Sequence, residues 1–284
     1  MGSPVDHSLS PVLHRAGYAA LGLTQWSYER IDCDEQALPG LVGLLDESWR
    51  GLSVTMPAKA AAAAAASSRS ARVELLGVAN TLVRNNSAGN TGWFAENTDV
   101  DGVIGALRAH GVHRPGTVLV LGGGGTALSA IAAITELAAD AVVIAGRRPE
   151  SCARAMDLAR RLGLPATACS FTAAALTSAA RGADLVISTV PAGVADAFAG
   201  MLADVPVLLD VVYHPWPTPL AAAGAADRVT VTGLDVLLNQ ALRQFELFTG
   251  RQPPAAAMRD ALLSNLGSPR PLPIVDNPPG TVGP

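Results

Sequence analysis

Gly122-Gly123-Gly124-Gly125-Thr126-Ala127 fits the pattern G-x-G-x-x-A. Glycines at such positions permit a tight turn and let the backbone approach a pyrophosphate. A helix opening at the loop would aim its free N–H groups at the same anion. The pattern alone is weak, because glycine-rich loops also occur without a ligand. Its context makes it informative: residues 117–121 read as a buried strand directly before it, and a helix follows to about residue 139. A second apolar strand over 141–145 ends in Gly146-Arg147-Arg148. NAD sites usually carry Asp or Glu there, about 20 residues past the glycines, to hold the ribose hydroxyls. Two guanidiniums would instead attract a 2′-phosphate, which arginine grips in bidentate fashion. The expected cofactor is therefore NADP. A solvated basic helix start is the plainer alternative.

Four polar clusters lie outside that motif. Ser8-Leu9-Ser10-Pro11 places two hydroxyls just before a predicted helix. Ser53-Val54-Thr55-Met56-Pro57-Ala58-Lys59 closes a strand in a polar group and sets a lysine in the first turn of the next helix. Asn80-Thr81 lies in a mixed strand, and Asn97-Thr98-Asp99 precedes a helix. Each has a bland reading by itself. Ser10, Asn97 and Asp99 are residue types that routinely cap helices, and Lys59 could be a surface charge.

The elements that must position these groups alternate in type. A helix is expected from Pro11 to about Gly22, a strand over 24–33, a helix over 35–47, a strand over 51–55 and a helix from Pro57, in which the alanine run 60–66 serves as helix filler. Turn residues at 85–90 suggest a hairpin loop. Beyond the glycine loop come a charged helix over 149–162, strands over 184–190 and 205–212, and closing helices over 236–249 and 254–266. Strands alternating with helices predict an α/β fold with a parallel sheet covered on both faces. The proline-rich stretch from Gly267 reads as a flexible end.

Composition narrows the function classes. The chain has 284 residues, 49% hydrophobic and only 15% charged, which is globular and long enough for two cores. Aromatics make up 4%, so small side chains must fill the interior. A net charge of −4 implies no basic face and argues against nucleic acid. Three cysteines without metal spacing fit free thiols in a reducing cytoplasm. No signal peptide is evident, and the longest uncharged apolar run, 118–135, contains the four glycines, so a membrane span is not expected. His7, His110 and His113 form no cluster. The latter two read as surface residues, and no metal site is expected.

Taken together the clusters resemble the shikimate dehydrogenase family. Gly2 to Pro11 (GSPVDHSLSP) is similar to its G-N-P-I-x-H-S-x-S-P motif, and Ser53 to Lys59 to N-V-T-x-P-x-K. Ala79-Asn80-Thr81 and Asn97-Thr98-Asp99 match A-N-T and N-T-D. Asp210 to Leu220 (DVVYHPWPTPL) and Gly233 to Gln240 (GLDVLLNQ) resemble two later motifs, in family order along nearly the whole chain. The resemblance implies that Ser8 and Ser10 bind a substrate carboxylate. It also implies that Thr55, Asn80, Asp99 and Gln240 bind ring hydroxyls, that Lys59 and Asp99 form the catalytic pair, and that Tyr213 lies near the substrate. It places Gly122 to Ala127, Arg147, Arg148, Thr189, Val190 and Gly233 against NADP.

The implied reaction is reversible reduction of 3-dehydroshikimate to shikimate in aromatic amino-acid biosynthesis, by a monomer or homodimer. Implied too are a substrate-binding domain (1–101, completed by 237–266), a Rossmann-type NADP domain (102–236) and a cleft between them. A quinate or aminated analogue as substrate, a non-catalytic ligand-binding relative and an unrelated NADP-binding regulator stay open as alternatives. Departures from the family pattern are Ser3 and Ser53 for asparagine, Asp6 beside the anion site, Leu128 where arginine is common and Val236 for methionine. A strand that members carry ahead of the first motif is expected to be absent here, a loss that would bare a sheet edge.

Overall fold

The computed structural model describes residues 1–87, 90–267 and 272–274. The tip of the expected hairpin and most of the expected flexible end lie outside the described residues. The described chain divides into two compact units, one of residues 1–101 with 237–267 and 272–274, and one of residues 102–236.

The first unit carries α1 (Ser10–Ala20), α2 (Leu38–Leu44), β1 (Gly51–Ser53), α3 (Lys59–Ala65), β2 (Ser68–Arg69), α4 (Ala71–Leu76), β3 (Thr81–Ser87) and β4 (Asn90–Glu96), and α5 (Asp99–Ala109) begins in it. Its sheet runs in the order β1-β3-β4-β2. β3 pairs antiparallel with β1 and β4, with Thr81 opposite both Ser53 and Glu96, and β2 pairs parallel with β4. α2 and α3 pack together over this sheet around Leu38, Val42, Leu52, Leu82 and Trp93.

The alanine run is more than filler. Ala58, Ala62 and Ala66 recur every fourth residue and are buried, so α3 turns a methyl-only stripe inward. Lys59, beside that stripe in the first turn, is thereby fixed in direction.

Residues 24–33 form no strand; one isolated bridge, Gly2 with Asp32, is all the pairing recorded there. The Tyr28 carbonyl, which a ladder would use, instead accepts Arg15 Nε and Nη2 at 3.0 and 2.6 Å. The helix expected over 35–47 is shortened to 38–44. Residues 1–3 are tied down from both sides. The Met1 ammonium donates to the Ser53 carbonyl at 2.7 Å, Thr55 N–H donates to Met1 O at 2.8 Å, and Cys33 N–H donates to Gly2 O at 3.0 Å.

The second unit holds β5 (Thr117–Leu121), α6 (Gly125–Glu136), β6 (Ala141–Gly146), α7 (Pro149–Arg161), β7 (Ala166–Ser170), α8 (Ala173–Ala180), β8 (Leu185–Ser188), β9 (Val207–Asp210), α9 (Pro219–Ala223) and β10 (Val229–Thr232). Its strands are all parallel in the order β10-β9-β8-β5-β6-β7. The chain winds outward from β5 through β6 to β7, crosses back to β8 and winds outward the other way, which is the doubly wound order of dinucleotide-binding sheets. Within these strands the runs VLVL (118–121) and LVI (185–187) are apolar throughout and buried, as expected of a parallel sheet covered on both faces.

α10 (Gly233–Thr249) and α11 (Ala255–Leu266) close the described chain. Within the first unit, α10 seats aromatic rings on glycines. A Cβ on Gly17 would lie 2.6 Å from the fully buried Phe245 ring, and one on Gly51 would lie 2.1 Å from the Phe248 ring. Overpacking of this kind costs about 1–3 kcal/mol. Gly51→Ala should therefore lower the thermal midpoint, and adding Phe248→Leu should recover part of the loss in a double-mutant cycle. Additive losses would show that the ring does not set this spacing.

Candidate active site

The first unit brings four of the sequence candidates together. Lys59 Nζ lies 2.5 Å from Asp99 Oδ2. Asn80 Nδ2 donates to the other carboxylate oxygen, Oδ1, at 2.8 Å, and also to Thr98 Oγ1 at 2.9 Å. Gln240 Oε1 lies 3.4 Å from the same amide nitrogen, while Gln240 Nε2 donates to the Leu237 carbonyl at 2.9 Å.

Local structure explains each placement. Asp99 opens α5, where a carboxylate complements the positive end of the helix dipole. Asn80 precedes β3, and Thr98 N–H donates to its Oδ1 at 2.7 Å, bracing the turn into α5. Lys59 projects from the first turn of α3. The ion pair keeps limited exposure, 16% for the Lys59 side chain and 13% for Asp99. It is thus reachable by a ligand yet only weakly screened by water.

The remaining first-unit candidates are arranged differently. Ser10 N–H donates to Ser8 Oγ at 3.4 Å, both serines are half-buried, and Thr55 is exposed. A cavity of about 590 Å³ opens beside Met1, Trp26, Tyr28, Trp49 and Phe248, and none of Lys59, Asn80, Asp99 or Gln240 lines it.

Two residues that sequence reading missed are built into the same network. Gln244 is buried, and its Nε2 donates to the Asn80 carbonyl at 3.1 Å and to Thr81 Oγ1 at 2.9 Å. Its position four residues after Gln240, on one face of α10, was a readable signal. Tyr28, whose hydroxyl donates to Ser53 Oγ at 2.5 Å, sits in the segment mistaken for a strand and carried no signal.

In the second unit the glycine loop joins β5 to α6. Gly122 has φ +113°, and a Cβ there would come within 2.5 Å of Thr189 Oγ1. Thr189 in turn donates to the Leu121 carbonyl at 2.8 Å, so the ends of β5 and β8 meet at the point where strand order reverses. A Cβ on Gly123 would lie 2.7 Å from the Ser151 carbonyl of α7, whereas one on Gly124 would meet nothing within 4 Å. α6 has no side-chain cap, and Ala127 is buried beneath the loop. Arg147 and Arg148 are exposed just past β6, and Val190 follows Thr189 half-buried. Uncapped helix N–H groups, open space over Gly124 and two free-standing guanidiniums fit a dinucleotide with an extra phosphate. Leu128, by contrast, points into the core at 1% exposure.

Elsewhere in this unit, Gly233 approaches the Val211 carbonyl and the Tyr213 ring, so its lack of a side chain lets the two segments close up. Burial raises the Tyr213 phenol above its ordinary value. The expectation that His110 is a surface residue is corrected: its Nε2 lies 2.9 Å from Oδ1 of the buried Asp235, which also accepts Thr232 N–H.

Comparisons with known proteins bear on both units. A sequence model described as the shikimate dehydrogenase substrate binding domain matches residues 1–82, and one described as the shikimate 5'-dehydrogenase C-terminal domain matches residues 233–263. The chain is 37% identical over 280 residues to the shikimate dehydrogenase (NADP(+)) of Citrifermentans bemidjiense, covering 95% of each chain. It resembles the crystal structure of Mycobacterium tuberculosis shikimate dehydrogenase at 47% identity and TM-score 0.87, covering 93% of this chain and 97% of that one. The Thermus thermophilus shikimate 5-dehydrogenase, solved in complex with NADP(H) and shikimate, is 31% identical with TM-score 0.79, at 93% and 97% coverage. Among the described residues no helix is long and apolar enough to cross a membrane.

Asp101 lies two residues past Asp99 on α5. Arg72 Nη1 donates to its Oδ2 at 2.8 Å, yet burial outweighs that guanidinium and pushes the carboxyl up to about 6 from an ordinary 3.8. A carboxyl raised on folding binds a proton more tightly in the folded state. It therefore adds stability as pH falls through about 6 toward 3.8, and that contribution is absent at higher pH. Between pH 7.5 and 5 the wild type should gain thermal stability relative to Asp101→Asn. Parallel melting curves across that range would contradict the assignment.

Proposed function

The chain belongs to the shikimate dehydrogenase family, and on that premise we propose that it catalyses the reversible NADP-dependent reduction of 3-dehydroshikimate to shikimate. The observation that carries this reading is the Lys59–Asp99 pair with Asn80 on the second carboxylate oxygen. When bound, the cofactor supplies the hydride in reduction and accepts it in oxidation. As a ketone gains hydride at carbon, negative charge builds on its oxygen. The Lys59 ammonium stabilises that charge and delivers the proton that completes the alcohol. In the oxidative direction the same nitrogen takes the hydroxyl proton back.

Asp99 holds Lys59 through Oδ2 and is itself held by Asn80 at Oδ1, so neither group must reorganise as charge develops. Gln240 and Asn80 offer further polar atoms to ring hydroxyls, with Thr55 exposed nearby in sequence. The hydroxyls of Ser8 and Ser10 bind the substrate carboxylate, and Tyr213 lies against the substrate. Gly122 to Ala127, Thr189, Val190 and Gly233 bind the dinucleotide, and Arg147 and Arg148 hold its 2′-phosphate. The free Cys33, Cys152 and Cys169 suit a reducing cytoplasm as the place of action.

The test follows absorbance of the reduced cofactor with purified protein and 3-dehydroshikimate. Oxidation should be fast with NADPH and slow with NADH, and quinate with NADP should turn over far less than shikimate. No turnover by folded protein would sink the reading. Lys59→Ala should lower kcat by roughly 10²- to 10⁴-fold while KM for the substrate changes only severalfold. Near-normal turnover would remove Lys59 from the chemistry. Arg147→Ala with Arg148→Ala should raise KM for NADPH roughly tenfold or more and leave KM for NADH unchanged. An equal rise for both cofactors would contradict the phosphate assignment.

A further inference from the structure

Tyr28 and Gln244 are absent from every motif above, yet both lie on one run of hydrogen bonds that ends at Asp99. The direction of each bond follows from fixed groups. Asn80 Oδ1 receives a backbone N–H from Thr98 at 2.7 Å, so that atom is the oxygen, and the NH2 group faces Asp99. Gln244 Nε2 faces the Asn80 backbone carbonyl at 3.1 Å, which can only accept, so its amide orientation is fixed as well. Gln244 Oε1 then faces Ser53 Oγ at 2.7 Å, and a carbonyl oxygen cannot donate, so Ser53 donates. With that proton committed, Ser53 Oγ accepts from the Tyr28 hydroxyl at 2.5 Å. Thr81 Oγ1 accepts from Gln244 at 2.9 Å and donates to Asn80 Oδ1, the nearer of its two acceptors, also at 2.9 Å.

Tyr28 is suited to the head of the run. Its ring stacks on the buried His14 at 4.4 Å, and burial pushes its hydroxyl up to about 12, so it keeps its proton at neutral pH.

We infer that Tyr28 and Gln244 are positioning residues for Asp99: the one-way run from Tyr28 through Ser53, Gln244, Thr81 and Asn80 holds the Asn80 NH2 on Oδ1 and leaves Oδ2 to Lys59. Hydrogen bonds aligned head to tail polarise one another, and a break upstream weakens those downstream. The kinetic consequence rests on the reading of Lys59 and Asp99 as the catalytic pair; the bond order itself does not.

The test combines nitrogen-15 NMR of the Asn80 side-chain amide with steady-state kinetics on Tyr28→Phe, Gln244→Met, Ser53→Ala and Ser53→Thr. Tyr28→Phe, which removes a hydroxyl several bonds away from Asn80, should shift the Asn80 NH2 signals and speed their exchange with water. Gln244→Met should do so more strongly, by about tenfold in exchange. In both, kcat should fall while KM for the substrate stays within about threefold. Ser53→Thr, which keeps the hydroxyl, should behave as wild type, and Ser53→Ala should follow Tyr28→Phe. Unchanged Asn80 signals in Tyr28→Phe and Ser53→Ala would overturn the inference, as would equal losses in both Ser53 variants. If Gln244→Met fails to fold, the Tyr28 and Ser53 variants still decide. If wild type shows no turnover, the proposed function fails while the amide signals still test the bond order.

Discussion

Asp99 has two carboxylate oxygens and gives them to different partners. Lys59, from the start of α3, takes one, and Asn80, from the start of β3, takes the other. A lone lysine at the surface would sweep through many rotamers, and ordering it would cost about 2 kcal/mol of side-chain entropy. Here the carboxylate does the ordering, and the carboxylate is itself ordered by a buried amide. The arrangement works only because three elements begin at almost the same place: α3 at Lys59, β3 at Thr81 and α5 at Asp99. Element starts are where side chains emerge with fixed direction and where backbone donors are still free. The site is therefore assembled from chain ends of regular structure rather than from a mobile loop.

The second unit reaches its own site by different means. Strand order reverses between β5 and β8, the position at which doubly wound sheets offer a ligand crevice beyond the carboxyl ends of their strands. Glycine at 122 and 123 is required there by proximity, to Thr189 and to the Ser151 backbone, while Gly124 stands in open space. One loop therefore divides its work: two glycines let protein close on protein, and the next leaves room for something that is not protein.

The parallel sheet was the most legible part of the sequence. Residues 117–121 read as a strand to the residue, because an apolar run bounded by glycine leaves few alternatives. The first unit was harder. The segment 24–33 has the residue types of a strand, but side chains satisfy its backbone and ladder partners are nearly absent, which depends on tertiary placement alone. Short elements such as β2, with two residues, and α9, with five, lie below what periodicity can resolve. Of the candidate site, Lys59, Asn80, Asp99 and Gln240 were readable as polar residues at element ends or from motif resemblance. Gln244 was legible only through its spacing from Gln240 on α10, and Tyr28 was not, because its importance comes from which atom its hydroxyl faces, and residue type alone does not encode that.

The stripe of Ala58, Ala62 and Ala66 has a consequence for how this protein can vary. Its methyl groups set the distance between α3 and the layer beneath, and Lys59 is carried on the same turn. The address of the amine is thus written in side chains that are as small as they can be while still favouring a helix. Neutral drift in a core usually exchanges one apolar residue for another of similar bulk. That freedom is narrowed along this stripe, since a larger side chain on this buried face has to be accommodated next to the helix that carries the amine. In a survey of tolerated variation, these unreactive alanines should look nearly as constrained as the charged pair.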